Sequence, residues 1–501
     1  MTGSSAFLLR AGVAVFFAAF ITLLYYFRFS LDRRLRSEQD PAWDDLKKRY
    51  LPIVSPVFLP IFLCTFAPLS VLFKGWSWSM ERLLSLLVTI LIEMVLFYLI
   101  MLLLLPTLRK HFSSRAVSFL WILPNYLYLT QYTFMDLSLP LLRISITRRA
   151  AMILLIIWTV LMASYLIFCC ITHLLFRRRL LKDSKPIEEK TLLELWSEIR
   201  ENAGIREKYS LPLLSCSCIT TPLSIGLSTR GTKVLLPSDY SRFSVSDLTL
   251  ILTHEAIHIK RQDAQTKFFL CFCTALSPEK YFFRRCFRRC SEDLELSVDE
   301  EITDSMDGES RQHYARLLLE NTGDDRGFTT SLSSDGRALR YRMKQVLHPE
   351  KKKSGVLLIA GMLFLLLMGT GIVSLSFKDG TLDEAVFDRQ LSSGEASLSF
   401  ATDREPSGEL FSRDWICSDE GKLNQYLSSL SLSHMPSLSG PLSNDEELVL
   451  NYDTPRGLVG LSIQKDTLTV TRFYEKHPAR ETYYIDGKAD LEFIKSLFIK
   501  Q

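Results

Sequence analysis

The stretch Thr253-His254-Glu255-Ala256-Ile257-His258 sets two imidazoles four residues apart, with a carboxylate directly after the first. On a helix, residues four apart stand on one face, one turn above the other, so both rings reach a single metal ion. The pattern suits one Zn2+ per chain, with His254 and His258 as ligands. Zinc lowers the pKa of a bound water to about 7, and Glu255 is placed to take its proton as attack on a peptide carbonyl begins. The chemistry implied is metal-assisted hydrolysis. Zinc also needs a third protein ligand and an open position. Arg261 and Ala264 stand where a longer H-E-x-x-H-x-x-G-x-x-H pattern would carry its glycine and third histidine. The acidic run 292–300 offers Glu295 instead, while Asp299, one turn later, and Asp263 are candidates to orient the ligand histidines.

For these groups to meet, the motif must lie on one helix and the acidic run on a second beside it. Ser244 and Asp247 form a capping-box pattern that opens a long helix ahead of the motif. A second helix is expected over 279–304, with further helical sequence at 310–321 and 335–347. Upstream, a helix over 186–202 is ended by Gly204. Two β-like runs, 219–227 and 233–237, flank a turn at Arg230-Gly231. Lys233-Val-Leu-Leu-Pro237 suits an edge strand, which could bind an extended substrate by strand addition.

The 501 residues are 48% apolar, and the apolar residues crowd into blocks. Six segments approach the roughly 20 residues that cross a bilayer: 6–27, 52–73, 83–106, 116–136, 150–176 and 355–377. The fourth carries Pro124, Asn125 and Gln131, so a re-entrant or interfacial helix is its alternative. Basic groups follow the first, third and fifth segments and precede the sixth, as in Arg177-Arg-Arg179 and Lys351-Lys-Lys353. The positive-inside rule puts both termini outside and 177–354 in the cytoplasm, with Arg143, Arg148 and Arg149 as misfits. Glu93, in the third segment, reads most simply as a carboxyl facing the helix bundle. A net charge of +4 does not suggest direct nucleic-acid binding. Of ten cysteines, Cys417 alone falls in the outer region, so no disulfide framework is expected. Cys216-Ser-Cys218 and the pair Cys286/Cys290 match no common zinc module and read as incidental thiols.

The runs Ile219-Thr-Thr-Pro-Leu-Ser-Ile-Gly-Leu227, Leu-Leu-Pro237, His254-Glu-Ala-Ile-His258 with Lys260-Arg-Gln-Asp263, and Asp293-Leu-Glu295-Leu-Ser-Val-Asp299 follow one another as in the BlaR/MecR family of antirepressor membrane metallopeptidases. Gly336-Arg-Ala-Leu-Arg-Tyr-Arg-Met-Lys344, followed by a basic tail and a membrane segment, is similar too, and the resemblance covers about 83–377. It implies zinc on His254, His258 and Glu295, Glu255 as acid/base, and an outer sensor that switches proteolysis inside. It further implies a cytoplasmic protein substrate, such as a DNA-binding repressor, or the receptor itself. The chain departs from the family in two ways. Its first two segments are additional, and the region after the last is too short for a penicillin-binding sensor. Ser462-Ile-Gln-Lys465 is formally S-x-x-K, but it reads as strand and lacks its partner motifs.

The expected architecture is a multi-pass membrane protein, a multi-span α-helical bundle with a cytoplasmic α+β zincin-like protease domain and a small extracytoplasmic α+β domain. Its parts are an added membrane pair (1–82), family-like membrane helices (83–176), the peptidase (177–354), a last membrane helix (355–377), and an outer linker and α+β domain (378–501). Expected partners are membrane lipid, the protein substrate and a second copy in a homodimer. The alternatives are a constitutive quality-control protease, and a non-catalytic receptor or scaffold that keeps a residual zinc site.

Overall fold

A computed structural model describes residues 3–37, 55–127, 142–205, 209–228, 231–320, 336–369, 373–404, 410–411, 415–435, 447–474 and 479–500. The helical layer comprises α1 (Gly3–Ser37), α2 (Phe58–Lys74), α3 (Trp76–His111), the short α4 (Ser114–Leu120), and α5 (Arg148–Lys182), which follows strand β1 (Leu142–Thr147). α3 and α5 are each long and apolar enough to cross a bilayer; Ala11–Phe27, Phe58–Lys74 and Val356–Gly369 are apolar but shorter. α5 exposes Ile153, Ile157, Leu161, Phe168 and Leu175 along its length. A long helix that leaves most of its apolar surface uncovered suits lipid, where its backbone bonds stay internal.

The fourth expected segment is not a continuous helix. α4 is seven residues long and gives way at Trp121 to a 3-10 turn at Leu123–Leu127; residues 128–141 lie outside the described set. Its polar groups are used, since Asn125 Oδ1 accepts from Leu59 N at 3.0 Å and Trp121 Nε1 donates to Asp293 Oδ2 at 2.7 Å. The sixth expected segment likewise ends early, as helix α12 (Val356–Gly369; α6 to α11 are given below), with strand β6 beginning at Val373. Glu93 is buried in the helical layer.

After α5 come β2 (Ser184–Pro186), α6 (Lys190–Asn202), β3 (Leu213–Cys216), β4 (Leu223–Ile225) and β5 (Lys233–Pro237), then α7 (Val245–Arg261), α8 (Asp263–Leu276), α9 (Lys280–Thr303), α10 (Gly308–Glu320) and α11 (Gly336–Leu347). The small sheet has the order β2-β3-β5-β4, which corrects the edge-strand expectation for 233–237. β5 pairs on both sides, parallel to β3 and antiparallel to β4. Its Val234-Leu-Leu236 run is fully buried, and an unbroken apolar run marks an interior strand, not an alternating edge. The edge is β4. The tight β4–β5 approach needs Gly226, at φ +149°, where a Cβ would stand 2.6 Å from Thr232 Cα.

The C-terminal region forms a nine-stranded sheet of order β1-β6-β10-β14-β13-β12-β11-β7-β8. These strands are β6 (Val373–Thr381), β7 (Ser397–Arg404), β8 (Leu410–Phe411), β10 (Ser431–Met435), β11 (Glu447–Thr454), β12 (Gly457–Ile463), β13 (Thr467–Arg472) and β14 (Ala479–Asp486), while β9 (Trp415–Cys417) pairs with β15 (Phe498–Lys500). The meander β11 to β14 follows the alternating sequence. Much of 378–440, expected to include a linker, is instead structured, as β6, β7, β10 and the helix Glu420–Ser429. Ser462 lies in β12, paired with Val449 of β11, so the S-x-x-K match is a strand.

The outermost strand was not foreseen. β1, directly ahead of α5, runs parallel to β6 from Leu142 opposite Val373 to Thr147 opposite Lys378. Two of the three basic residues that misfit the charge rule serve this junction: Arg143 lies 4.0 Å above the Tyr484 ring, and Arg148 pairs with Glu81 (2.6 Å) and with Asp379. His434 Nδ1 stands 2.6 Å from the other Glu81 oxygen.

Candidate metal centre

α7 begins where Ser244 caps it, with its side chain accepting from Asp247 N and the Asp247 carboxylate returning to the Ser244 backbone. Its inner face carries His254, Glu255 and His258, all buried. α7 ends at Gln262, held left-handed at φ +59°. That reversal starts α8 at once and turns Asp263 back toward the helix it has just left, so Asp263 Oδ2 lies 2.6 Å from His258 Nδ1. α9 packs across α7 and brings in Glu295.

The three candidate ligand groups converge. His254 Nε2 and His258 Nε2 are 3.1 Å apart, and Glu295 approaches them at 3.4 and 3.5 Å. Bond lengths of about 2.0–2.1 Å to a tetrahedral zinc require ligand atoms roughly 3.3 Å apart. Neither oxygen of the buried Glu295 accepts a hydrogen bond, so the donor set has the spacing, the charge and the unsatisfied acceptors that a small divalent cation would complete. Burial opposes charge on His258, yet the Glu295 and Asp263 carboxylates override it and raise His258 to about 10. Burial likewise opposes charge on Glu295, but His258 and the Arg342 guanidinium hold it well below the usual carboxylate range.

A second layer fixes these groups. Asp299 was expected to bond a histidine directly, but it lies 3.9 Å from His254 Nδ1. Tyr314 fills the gap, with its hydroxyl 3.0 Å from His254 Nδ1 and donating to Asp299 Oδ1 at 2.9 Å. Arg342, 2% exposed, grips Asp299 with two bonds of 2.7 and 2.8 Å, and its Nη1 is 3.2 Å from Glu295. Neither Tyr314 nor Arg342 was singled out from sequence. They stand on α10 and α11, 15 and 43 residues beyond Asp299, with no spacing rule to connect them. α9 also faces the helical layer: Arg109, at the end of α3, binds Asp293 (2.7 Å) and Glu292 (3.1 Å), and Ser114 N donates to Glu300.

Residues 141–345, which span α5, the small sheet and the whole ligand cluster, match the BlaR1 peptidase M56 family. The chain carries a BlaR1-type M56 domain. It is also similar to the regulatory protein BlaR1 of Bacillus licheniformis, with 24% identity over 208 residues, 39% of this chain and 33% of that relative. The chain thus spans about a third of the length of the curated relative it matches, and the family match at 141–345 leaves out the nine-stranded sheet beyond β1. The M56 match and the two helices long and apolar enough to cross a bilayer fit a membrane protein with a peptidase-family domain.

Proposed function

We propose that this protein is a multi-pass membrane zinc endopeptidase that transmits the state of its C-terminal sheet to a cytoplasmic active site. The observation that carries the reading is the His254–His258–Glu295 convergence at tetrahedral spacing inside an M56 domain. His254, His258 and Glu295 would hold zinc, which when bound supplies a Lewis acid and an activated water. Glu255 accepts the proton from the attacking water and returns it to the departing amine. Asp263 and the Tyr314–Asp299 pair fix the two imidazoles with their Nε2 atoms 3.1 Å apart, where they would hold the metal. Arg342 keeps Glu295 ionised and in place. The β4 edge is where an extended substrate would lie.

Signalling is favoured over constitutive turnover by the way α3 is attached. At one end Glu81 joins Arg148 and His434 beside the nine-stranded sheet; at the other Arg109 joins Asp293, two residues from Glu295. Crossing inward with the positive-inside rule, α3 and α5 would link an outer sensor to the peptidase. The substrate class is a cytoplasmic protein, of which a repressor or the receptor itself are the candidates. The reading is tested on detergent-purified protein by measuring zinc in wild type, His254→Ala and Glu295→Ala. About one equivalent at this site, absent from both variants, supports it. Retention in Glu295→Ala would move the third ligand elsewhere, and no zinc at the site in wild type after reconstitution would leave a receptor or scaffold.

A further inference from the structure

The pair Cys216-Ser-Cys218 offers two soft donors but no third by sequence spacing. The fold supplies one. Asp183 caps the end of α5, and the antiparallel pairing of β2 with β3 sets Ser184 opposite Cys216. The Asp183 Oδ2 atom accepts from Ser217 N at 3.0 Å and stands 3.8 Å from Cys216 Sγ. Donor atoms from Asp183, Cys216 and Cys218 all lie within 4.8 Å of one another. Bonds of about 2.3 Å to sulfur and 2.0 Å to oxygen put tetrahedral neighbours roughly 3.5–3.8 Å apart, so small side-chain adjustments would close the set. Among the described residues, no Lys or Arg is ion-paired with Asp183. One carboxylate and two thiols that become anionic on metal binding therefore face one another with no ion-paired cation among the described residues.

We propose that Asp183, Cys216 and Cys218 form a second metal site, separate from the histidine cluster, that takes one thiophilic divalent cation of the zinc class. Cys216 is 1% exposed while Asp183 and Cys218 are open, which leaves a fourth position for water. The ion would tie the end of α5 to β3 and so fasten the membrane helix to the first strands of the M56 domain. Two thiolates with one carboxylate favour zinc over calcium or magnesium.

The test uses the full chain in detergent under a non-chelating reductant, loaded with zinc and, in parallel, with cobalt(II). Wild type should hold one zinc more than Cys218→Ser, and its cobalt form should show a thiolate-to-metal charge-transfer band that this variant loses. His254→Ala/His258→Ala should keep that band, since the histidine cluster has no sulfur. Cys218 is exposed, so its variant is expected to fold; Asp183→Asn gives a second handle and should weaken binding at least tenfold. The proposal is overturned if wild type lacks the thiolate band, if Cys218→Ser retains both band and stoichiometry, or if thiol counting under these conditions finds Cys216 and Cys218 joined as a disulfide.

Discussion

Tyr314→Phe isolates the second layer of the metal centre. The change removes one oxygen from a ring that is 2% exposed and leaves its volume nearly intact. Two hydrogen bonds disappear, to His254 Nδ1 at 3.0 Å and to Asp299 Oδ1 at 2.9 Å. Asp299 is not orphaned, because Arg342 still holds both of its oxygens. His254 Nδ1 is orphaned, since Asp299 lies 3.9 Å away. A buried polar group without a partner costs about 1–3 kcal/mol. Loss of an outer partner to a metal-binding histidine typically weakens metal affinity about 10- to 100-fold, or about 1.4–2.7 kcal/mol. The first cost falls on the folded protein with or without metal, the second on metal affinity. Competition with a chelator at fixed pH should therefore report zinc binding at this site weakened by one to two orders of magnitude, and unfolding of the apo protein should report a loss of about 1–3 kcal/mol. Affinity unchanged within about twofold would refute the bridging role assigned to Tyr314. Asp299→Asn is the contrasting variant: it leaves Glu295, 3.2 Å from Nη1, as the one carboxylate beside the buried Arg342 charge, and should destabilise the fold itself by several kcal/mol.

Three further outcomes follow from the geometry. In the apo site His258 is raised to about 10, so at pH 6–8 zinc must displace its proton. Affinity should fall about tenfold per unit decrease in pH across that window, and a flat titration would contradict it. Gly226→Ala puts a Cβ 2.6 Å from Thr232 Cα at φ +149°, and should lower the midpoint of unfolding by an amount equivalent to about 1–3 kcal/mol. Arg148→Ala leaves Glu81 and Asp379 without their shared cation; because Arg148 is 42% exposed the cost should be about 1–3 kcal/mol, seen in unfolding, together with altered dependence of proteolysis on the C-terminal sheet.

What sequence revealed and what it hid divide along physical lines. The HExxH helix announces itself because two ligands and a carboxylate share one turn, and the Ser244 cap fixes where that helix starts. Glu295 was reachable because its helix follows closely on the HExxH helix, and an acidic run there can supply the third ligand that the motif lacks. Tyr314 and Arg342 were not, since each makes its contact only after α10 and α11 fold back on α9. The same non-local pairing hid β1, which joins β6 across 231 residues at Ser145 and Ser376. It also hid Asp183, brought to Cys216 by strand pairing. The edge-strand reading of 233–237 failed for a local reason that was visible: Val234, Leu235 and Leu236 do not alternate with polar residues.

In the proposed function Glu255 performs peptide hydrolysis beside a metal held by His254, His258 and Glu295. The most direct measurement compares zinc-loaded wild type with zinc-loaded Glu255→Ala, following cleavage of the chain itself and of a mixed protein substrate by mass spectrometry. Defined cleavage by wild type is expected, and its loss by about a thousandfold or more in a variant that still holds zinc at this site. Cleavage by Glu255→Ala at the wild-type rate, or none by a fully loaded wild type with its C-terminal sheet either present or deleted, would contradict it.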